Sequence, residues 1–170
     1  MTLIASVSGI RGTIGGEINQ NLTPVDVVAF AAAYGSWIKT KHQLATVVVG
    51  RDARISGPMV QALVQQTLVS LGIDVIDVGL STTPTVEMEV VRKQAQGGII
   101  ITASHNPKQW NALKLLNNKG EFISAEDGSE LMQYVNDQSF EFVGVDELGK
   151  ISLVTDALTA IWKRFLAFHR

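Results

Sequence analysis

Residues 46–50 read TVVVG and residues 98–102 read GIIIT, and these two runs decide the fold class. Each is a continuous apolar stretch with a glycine at one end, which is typical of a parallel strand that helices cover on both faces. Between them lie an apolar helical stripe over 58–71, a further strand over 73–78 and a helix that opens at Thr83. This βαβαβ alternation predicts an α/β fold, a three-layer α/β/α sandwich around a mainly parallel but mixed sheet.

Two helices should pack on this sheet through apolar stripes. The first, over 22–37, opens with Thr23 as the N-cap, Pro24 in the first turn and Asp26 as an early acid. Its predicted buried face consists of Val25, Val28, Ala29 and Ala32. The second helix should bury a stripe made of Met59, Leu63, Val64, Leu68 and Leu71.

The C-terminal part of the chain contains a predicted hairpin and a predicted domain boundary. Residues 113–116 and 121–124 flank the turn sequence NNKG, which favours an antiparallel hairpin at the edge of the sheet. Helical periodicity is lost over 136–150, so we predict one domain over 1–140 and a linker with the truncated start of a following domain over 141–170. The linker is followed by an apolar helical stripe of Leu158, Ile161, Trp162, Phe165 and Leu166. This stripe either begins the next domain or docks on this domain or on a second copy.

The composition indicates a folded domain and excludes several classes of function. Hydrophobic residues make up 46% of the 170 residues and charged residues 18%, which is a globular balance. A formal net charge of -2 provides no basic field for nucleic acid, and the absence of Cys excludes disulfides and thiolate metal sites. The most apolar run, over 27–34, is too short to span a bilayer, and the first residues do not form a leader pattern. We therefore expect a soluble cytoplasmic protein that binds neither nucleic acid nor membrane.

Three polar loops follow the predicted strands, over 50–57, 79–84 and 102–107. In an open parallel sheet, ligands bind beyond the carboxyl ends of the strands, where the loops meet helix N-termini that favour anions. The third loop reads TASHNP and is the most polar and the most constrained, because Pro107 fixes its exit. Ser104 is therefore predicted to display its hydroxyl on a defined loop, where it is available for chemistry.

Several interpretations of this serine compete. A hydrolase is disfavoured because the G-x-S-x-G elbow is missing and because His105, adjacent in sequence, would seldom face Ser104. The P-loop and dinucleotide-binding fingerprints are absent as well. The remaining hypothesis is a serine that accepts phosphate, with Arg11 and Lys114 as cationic donors. A phosphoserine, which is roughly dianionic, would bind a hard cation such as Mg²⁺.

Four motifs, in this order, resemble the α-D-phosphohexomutase family. They are SGIRG at 8–12, GRDAR at 50–54, the loop at 79–84, and TASHNP at 102–107 with Trp110, Asn111 and Lys114. The resemblance covers residues 6 to 135, approximately. It implies the phosphoserine-bearing N-terminal domain of a multidomain intramolecular phosphotransferase, which interconverts a hexose or hexosamine 6-phosphate and the 1-phosphate. A sugar bisphosphate would serve as intermediate and activator.

The resemblance also implies roles for individual residues. Ser104 matches the phosphoserine, which ligates Mg²⁺ through its phosphate, and Arg11 and Lys114 match cations that bind the phosphosugar substrate. His105 matches the histidine beside the nucleophile, and both His105 and Lys114 are candidates for proton transfer. Among the substrates we favour glucosamine phosphate over glucose or mannose phosphate.

Two departures from the family affect what the chain is expected to do alone. It has no D-x-D-x-D run, so Ser104 would be its single metal ligand, and the isolated chain should not be a competent mutase. Ala112 stands where the family usually has glycine, so the local loop geometry is expected to differ. Outside the catalytic set, Arg51 and Asp52 are interpreted as a structural ion pair that supports their loop.

Two other classes of function remain open at this point. A non-catalytic module would bind a phosphosugar or a partner protein through the apolar stripe at 162–168. A phosphatase or hydrolase would turn over a simple ester as this fragment alone. In the mutase hypothesis the partners are the phosphosugar and the remaining domains of the full-length enzyme, and the oligomeric state is left undetermined.

Overall fold

The computed structural model describes residues 1–6 and 9–157, and seven strands in this range form one sheet. The strands are β1 (Ile4–Ser6), β2 (Gly9–Thr13), β3 (Thr46–Arg51), β4 (Asp74–Leu80), β5 (Gly97–Ile101), β6 (Trp110–Leu116) and β7 (Ile151–Leu153). Their order across the sheet is β1-β2-β6-β5-β3-β4-β7. The apolar run of β3 lies inside the sheet, where it pairs in parallel with β4 and β5. β7 is parallel to β4, whereas β1, β2 and β6 join through antiparallel pairs, so the predicted α/β fold with a mixed sheet is confirmed.

Helices cover both faces of this sheet. They are α1 (Pro24–Lys41), α2 (Gly57–Ser70), α3 (Thr83–Arg92) and α4 (Ala125–Asp137). Alternate residues of β3 point to the two layers, since successive side chains of a strand face opposite ways. Val47 and Val49 belong to the core that α1, α2 and α4 cover, and Val48 packs with Val86 and Val90 of α3. The three-layer arrangement follows from this division.

The first helix begins where the sequence predicts, but it buries a different face. The Thr23 hydroxyl accepts a hydrogen bond from the Asp26 N–H, and the Asp26 carboxylate accepts one from the Thr23 N–H, which completes a capping box. Of the predicted face, Ala32 is fully buried, but Val25 is 55% exposed and Val28 and Ala29 are only partly buried. Val27 and Tyr34 are fully buried instead. The reason is that α1 contacts α2 and α4 as well as the sheet, so no narrow stripe defines its core face.

The predicted stripe of α2 is also displaced at its first members. Met59 is 38% exposed and Leu63 is only partly buried, whereas Val60, Val64 and Leu68 are fully buried. The buried face of α2 is therefore rotated toward Val60 relative to the prediction.

The predicted edge hairpin is wrong in its position. β6 lies between β5 and β2, because the N-terminal strands β1 and β2 extend the sheet beyond it. The turn itself forms, since the Asn117 Oδ1 accepts hydrogen bonds from the N–H groups of Lys119 and Glu121, and a bridge joins Leu116 to Phe122. The sequence did not predict β1 and β2 because both are short, and β2 reads GIRGT without an apolar run.

The chain after α4 returns to the same sheet. The Val143 N–H donates to the Ser70 carbonyl and the Gly149 N–H donates to the Val69 carbonyl, so the segment runs past the end of α2 before β7. The predicted boundary at residue 140 stays a prediction, and the apolar stripe over 158–166 lies outside the described residues. Within the described range, no helix combines the length and apolar character that crossing a membrane requires.

The Tyr34 hydroxyl connects α1 to strands β5 and β6 of the sheet. Its side chain is fully buried, and its hydroxyl donates to the Leu116 carbonyl at 2.6 Å and lies 3.2 Å from the Gly98 carbonyl. Burial raises the pKa of the Tyr34 phenol far above its ordinary value, so the hydroxyl stays protonated.

We expect Tyr34→Phe to lower the free energy of unfolding by about 1–3 kcal/mol, because it removes the donor from a buried carbonyl. Urea denaturation measures this loss. Tyr134→Phe, at a partly exposed position, is the matched control and should change the free energy of unfolding by less than about 0.5 kcal/mol. Equal losses in the two variants would contradict a special role for the Tyr34 hydroxyl.

Candidate active site

Ser104 lies on the loop that follows β5, and its side chain is exposed to solvent. Its backbone has a φ of 53°, a left-handed conformation that is uncommon for a residue other than glycine. The Lys114 Nζ donates a hydrogen bond of 3.0 Å to the Ser104 Oγ. The structure therefore places the predicted nucleophile in direct contact with one of the two predicted cations.

Arg11 and Lys114 lie on adjacent strands and face the same side of the sheet. In the antiparallel pairing of β2 with β6, Arg11 is opposite Ala112 and Gly9 is opposite Lys114. The two cations are thus diagonal neighbours, and such positions are roughly 7–8 Å apart, close enough to share an anion. Both line a cavity of about 200 Å³. Ala112, the departure from the family pattern, lies within β6 and continues this strand without interruption. Ser8, the first residue of the SGIRG motif, lies outside the described residues.

The two cations differ in how they are held. The Lys114 ammonium is engaged with Ser104, whereas the exposed Arg11 side chain forms no hydrogen bond or ion pair within the described part of the chain. A guanidinium in this position is available to an anionic ligand.

His105 is exposed beside the nucleophile. Among the residues that the structure describes, its imidazole has no hydrogen-bond partner, so it is not hydrogen-bonded to the Ser104 hydroxyl. The sequence-based role of His105 in proton transfer stays a prediction. Among the described residues, Lys114 is the side chain that lies within hydrogen-bond distance of the Ser104 Oγ.

Arg54 holds the backbone of the Ser104 loop, a role that the sequence did not predict. Its Nη2 donates to the carbonyls of Ser104 at 2.7 Å and Asn106 at 2.8 Å. Its Nη1 donates to the carbonyls of Pro107 at 2.9 Å and Trp110 at 3.0 Å. The GRDAR motif was recognisable in the sequence, but the contact with Ser104 joins positions 50 residues apart, and no local pattern records such a contact.

The predicted ion pair between Arg51 and Asp52 is wrong in its basic partner. The Asp52 Oδ2 lies 3.2 Å from the Arg54 Nε and accepts a hydrogen bond of 2.6 Å from the Thr102 hydroxyl. The Arg51 Nε donates instead to the Gln61 Oε1 at 2.7 Å. The loop after β3 is therefore joined to the loop after β5 through Asp52 and Arg54.

The described residues do not by themselves fit a magnesium site. No group of three or more His, Asp or Glu side chains in this part of the chain is placed to hold a metal ion. Asp52, which lies against the Ser104 loop, is already bonded to Arg54 and Thr102. A phosphate on Ser104 would supply oxygen ligands, but Mg²⁺ requires about six, arranged as an octahedron.

Comparison with known proteins decides the family. A family model described as phosphoglucomutase/phosphomannomutase, alpha/beta/alpha domain I, matches residues 3–142. The chain belongs to this family. Its described fold and the loop that carries Ser104 are therefore those of a domain I of the phosphoglucomutase/phosphomannomutase family.

Relatives of this domain I are found among curated proteins and solved structures. A phosphoglucomutase/phosphomannomutase of Thermococcus kodakarensis is 35% identical over 143 residues, which cover 82% of this chain and 31% of the relative. A probable phosphoglucosamine mutase of Methanosphaera stadtmanae is 37% identical over 143 residues, which cover 84% of this chain and 30% of the relative. The crystal structure of a family protein from Burkholderia thailandensis matches with a TM-score of 0.76 at 25% identity, over 95% of this chain and 35% of that chain. The chain thus spans about a third of the length of the relatives it matches.

Proposed function

We propose that this chain presents the phosphoryl-carrying serine of a phosphohexomutase and that Ser104 is that serine. The observation that carries the proposal is the contact of 3.0 Å between the Lys114 Nζ and the exposed Ser104 Oγ. An ammonium group at this distance stabilises the negative charge that develops on the serine oxygen when the phosphoryl group leaves. Arg11, on the same face of the sheet, supplies a second positive charge for an anionic substrate.

The proposed reaction moves a phosphoryl group from the serine to the sugar and back. Phospho-Ser104 transfers its phosphoryl group to a free hydroxyl of the sugar monophosphate, so the Oγ–P bond breaks and a sugar O–P bond forms. The sugar hydroxyl loses its proton to a base, the role we assign to His105, and Lys114 supplies the proton that the Ser104 Oγ takes up. The bisphosphate reorients, and its other phosphoryl group returns to Ser104 by the reverse of the same step, which restores both protons.

We propose a hexose or hexosamine phosphate as the substrate and favour glucosamine phosphate. The relative from Methanosphaera stadtmanae is named a probable phosphoglucosamine mutase, and it supports this choice. Serine phosphoesters and sugar phosphomonoesters are close in energy, so transfer between them runs in both directions, as a mutase requires.

The proposed reaction needs more than this chain. Bound Mg²⁺ would neutralise charge on the transferred group, and its remaining ligands would come from other domains, since the described residues form no metal cluster. We therefore propose that the chain acts together with the remaining domains of a full-length enzyme and that the isolated chain lacks mutase activity.

Mass spectrometry of the purified chain tests the assignment of Ser104. After incubation with a hexose or hexosamine 1,6-bisphosphate, alone and with the remaining domains added, we expect one phosphate on the peptide that contains Ser104. The matched variant Ser104→Ala should stay unmodified under the same conditions. Phosphate on another residue, or an active full-length enzyme in which Ser104 never carries phosphate, would contradict the proposal.

A further inference from the structure

The conformation of Ser104 depends on support from outside its own loop. A φ of 53° costs a serine about 1–2 kcal/mol, so groups that bind the residue on both sides help to keep it in this conformation. The Ser104 N–H donates to the Thr102 Oγ1 at 3.0 Å, and the Ser104 carbonyl accepts from the Arg54 Nη2 at 2.7 Å. These two hydrogen bonds set the direction in which the Ser104 side chain leaves the backbone.

The guanidinium of Arg54 uses all five of its N–H donors within the chain. The Nε donates to the Asp52 Oδ2 at 3.2 Å, and the side chain is only 12% exposed. The four remaining hydrogens bind backbone carbonyls of the loop, those of Ser104, Asn106, Pro107 and Trp110. A guanidinium has five donors in a fixed plane, so none is left for a substrate phosphate. Arg54 therefore differs in kind from the exposed Arg11.

Asp52 connects the two supports of Ser104 to each other. Its Oδ1 accepts from the Arg54 N–H at 3.0 Å, and its Oδ2 accepts from the Arg54 Nε and from the Thr102 hydroxyl. The Thr102 oxygen in turn accepts from the Ser104 N–H. The bonds form a closed ring that runs from the Ser104 carbonyl through Arg54, Asp52 and Thr102 to the Ser104 N–H.

We propose that Arg54 is a positioning residue of the phosphoryl-transfer site, which aims the Ser104 Oγ at Lys114 without contacting the substrate. The part of this proposal that concerns phosphoryl transfer rests on the proposed function of Ser104. The part in which Arg54 fixes the backbone of the loop does not depend on that function. Lysine cannot replace Arg54, because its three donors sit on one nitrogen and cannot span four carbonyls and a carboxylate.

Hydrogen exchange on this chain tests the hold on the loop directly. In Arg54→Lys we expect the amides of Asn106 and Trp110, which bond within the loop, to exchange at least about tenfold faster, while amides of β3 and β5 keep their rates. Arg92→Lys is the matched control, because the Arg92 guanidinium donates two hydrogen bonds of 2.7 Å to the Glu89 carboxylate. Arg92 precedes β5, whereas the Ser104 loop follows it, so the two arginines lie at opposite ends of this strand. Unchanged exchange of the loop amides in Arg54→Lys would overturn the proposal.

Kinetics of the full-length enzyme test whether this hold serves catalysis. We expect Arg54→Lys to lower kcat about 100-fold, because a displacement of about 1 Å at a reacting atom costs that much. The KM for the sugar phosphate should stay near its original value, since Arg11 and the other domains still bind the substrate. Arg92→Lys should retain kcat even where it lowers the melting temperature. Full kcat in Arg54→Lys would leave Arg54 with a structural role only and would overturn the proposal.

Thr102→Val provides a second variant in case Arg54→Lys does not fold. It removes the hydroxyl that joins Asp52 to the Ser104 N–H while the size of the side chain stays similar. We expect kcat to fall less than in Arg54→Lys, again without a rise in KM. Full kcat in Thr102→Val would contradict the proposal that this ring of hydrogen bonds positions Ser104. A failure of the proposed function has a different signature, because Ser104→Ala would then retain turnover while the exchange result for Arg54 would be unaffected.

Discussion

Replacing Ser104 with alanine in the proposed full-length mutase is expected to lower kcat by more than about 10⁴-fold, because the proposed phosphoryl carrier then lacks its oxygen. The Lys114 ammonium, which lies 3.0 Å from the Ser104 Oγ in the original protein, then has no serine oxygen whose negative charge it could stabilise. The conversion of the sugar 6-phosphate to the 1-phosphate at saturating substrate measures this loss.

Two control variants separate the missing oxygen from a folding defect. Ser104→Gly also lacks the hydroxyl but suits the φ of 53° better than serine does, so it should be no less stable than the original protein and equally inactive. Ser129→Ala changes an exposed serine on α4 and should retain full activity. Substantial turnover by Ser104→Ala would show that a different group carries the phosphate.

Gly9→Ala should lower the free energy of unfolding by at least about 3 kcal/mol. A Cβ at this position would overlap the Leu113 carbonyl oxygen, and the φ of 122° is closed to alanine. β2 would have to separate from β6 at the pair of Gly9 with Lys114, so Arg11 would move away from the site as well. Urea denaturation measures the loss, which corresponds to a fall in melting temperature of roughly 6–12 °C for a domain of this size.

Gly15→Ala is the control for backbone strain alone. Gly15 also has a positive φ, of 85°, but no atom lies within 4 Å of an added Cβ. The expected loss is about 1 kcal/mol, since only the left-handed conformation opposes the change. If the two variants lost equal stability, overlap with β6 would not be the cause of the effect at Gly9.

The centre of the fold could be predicted because its strands carry a strong local signal. A strand that is covered on both faces must be apolar throughout, and the runs at 46–50 and 98–102 satisfy this condition. β2 carries no such signal, because its sequence GIRGT forms a strand only through pairing with β6, about a hundred residues later. The buried face of α1 was misplaced for a related reason, since it depends on contacts with α2 and α4 that lie far away in sequence.

The candidate site shows the same division between local and distant information. Ser104 and Lys114 were predicted from their residue types and motifs, and the structure brings them into contact. Arg54 was missed because four of its five acceptors are backbone carbonyls, which every residue has and which leave no mark in a sequence. The one local signal was its place two residues after Asp52, whose carboxylate accepts from the Arg54 backbone and side chain.

Because Arg54 binds carbonyls, it recognises the path of the loop rather than the identity of its side chains. A substitution at an exposed position such as His105 or Lys108 leaves all four acceptors in place. Arg54, which binds the loop, and Ser104, the proposed reacting residue, thus belong to separate segments of the chain, 50 positions apart. Side chains on the loop can therefore change during evolution while the hydrogen bonds from Arg54 to the loop backbone are retained.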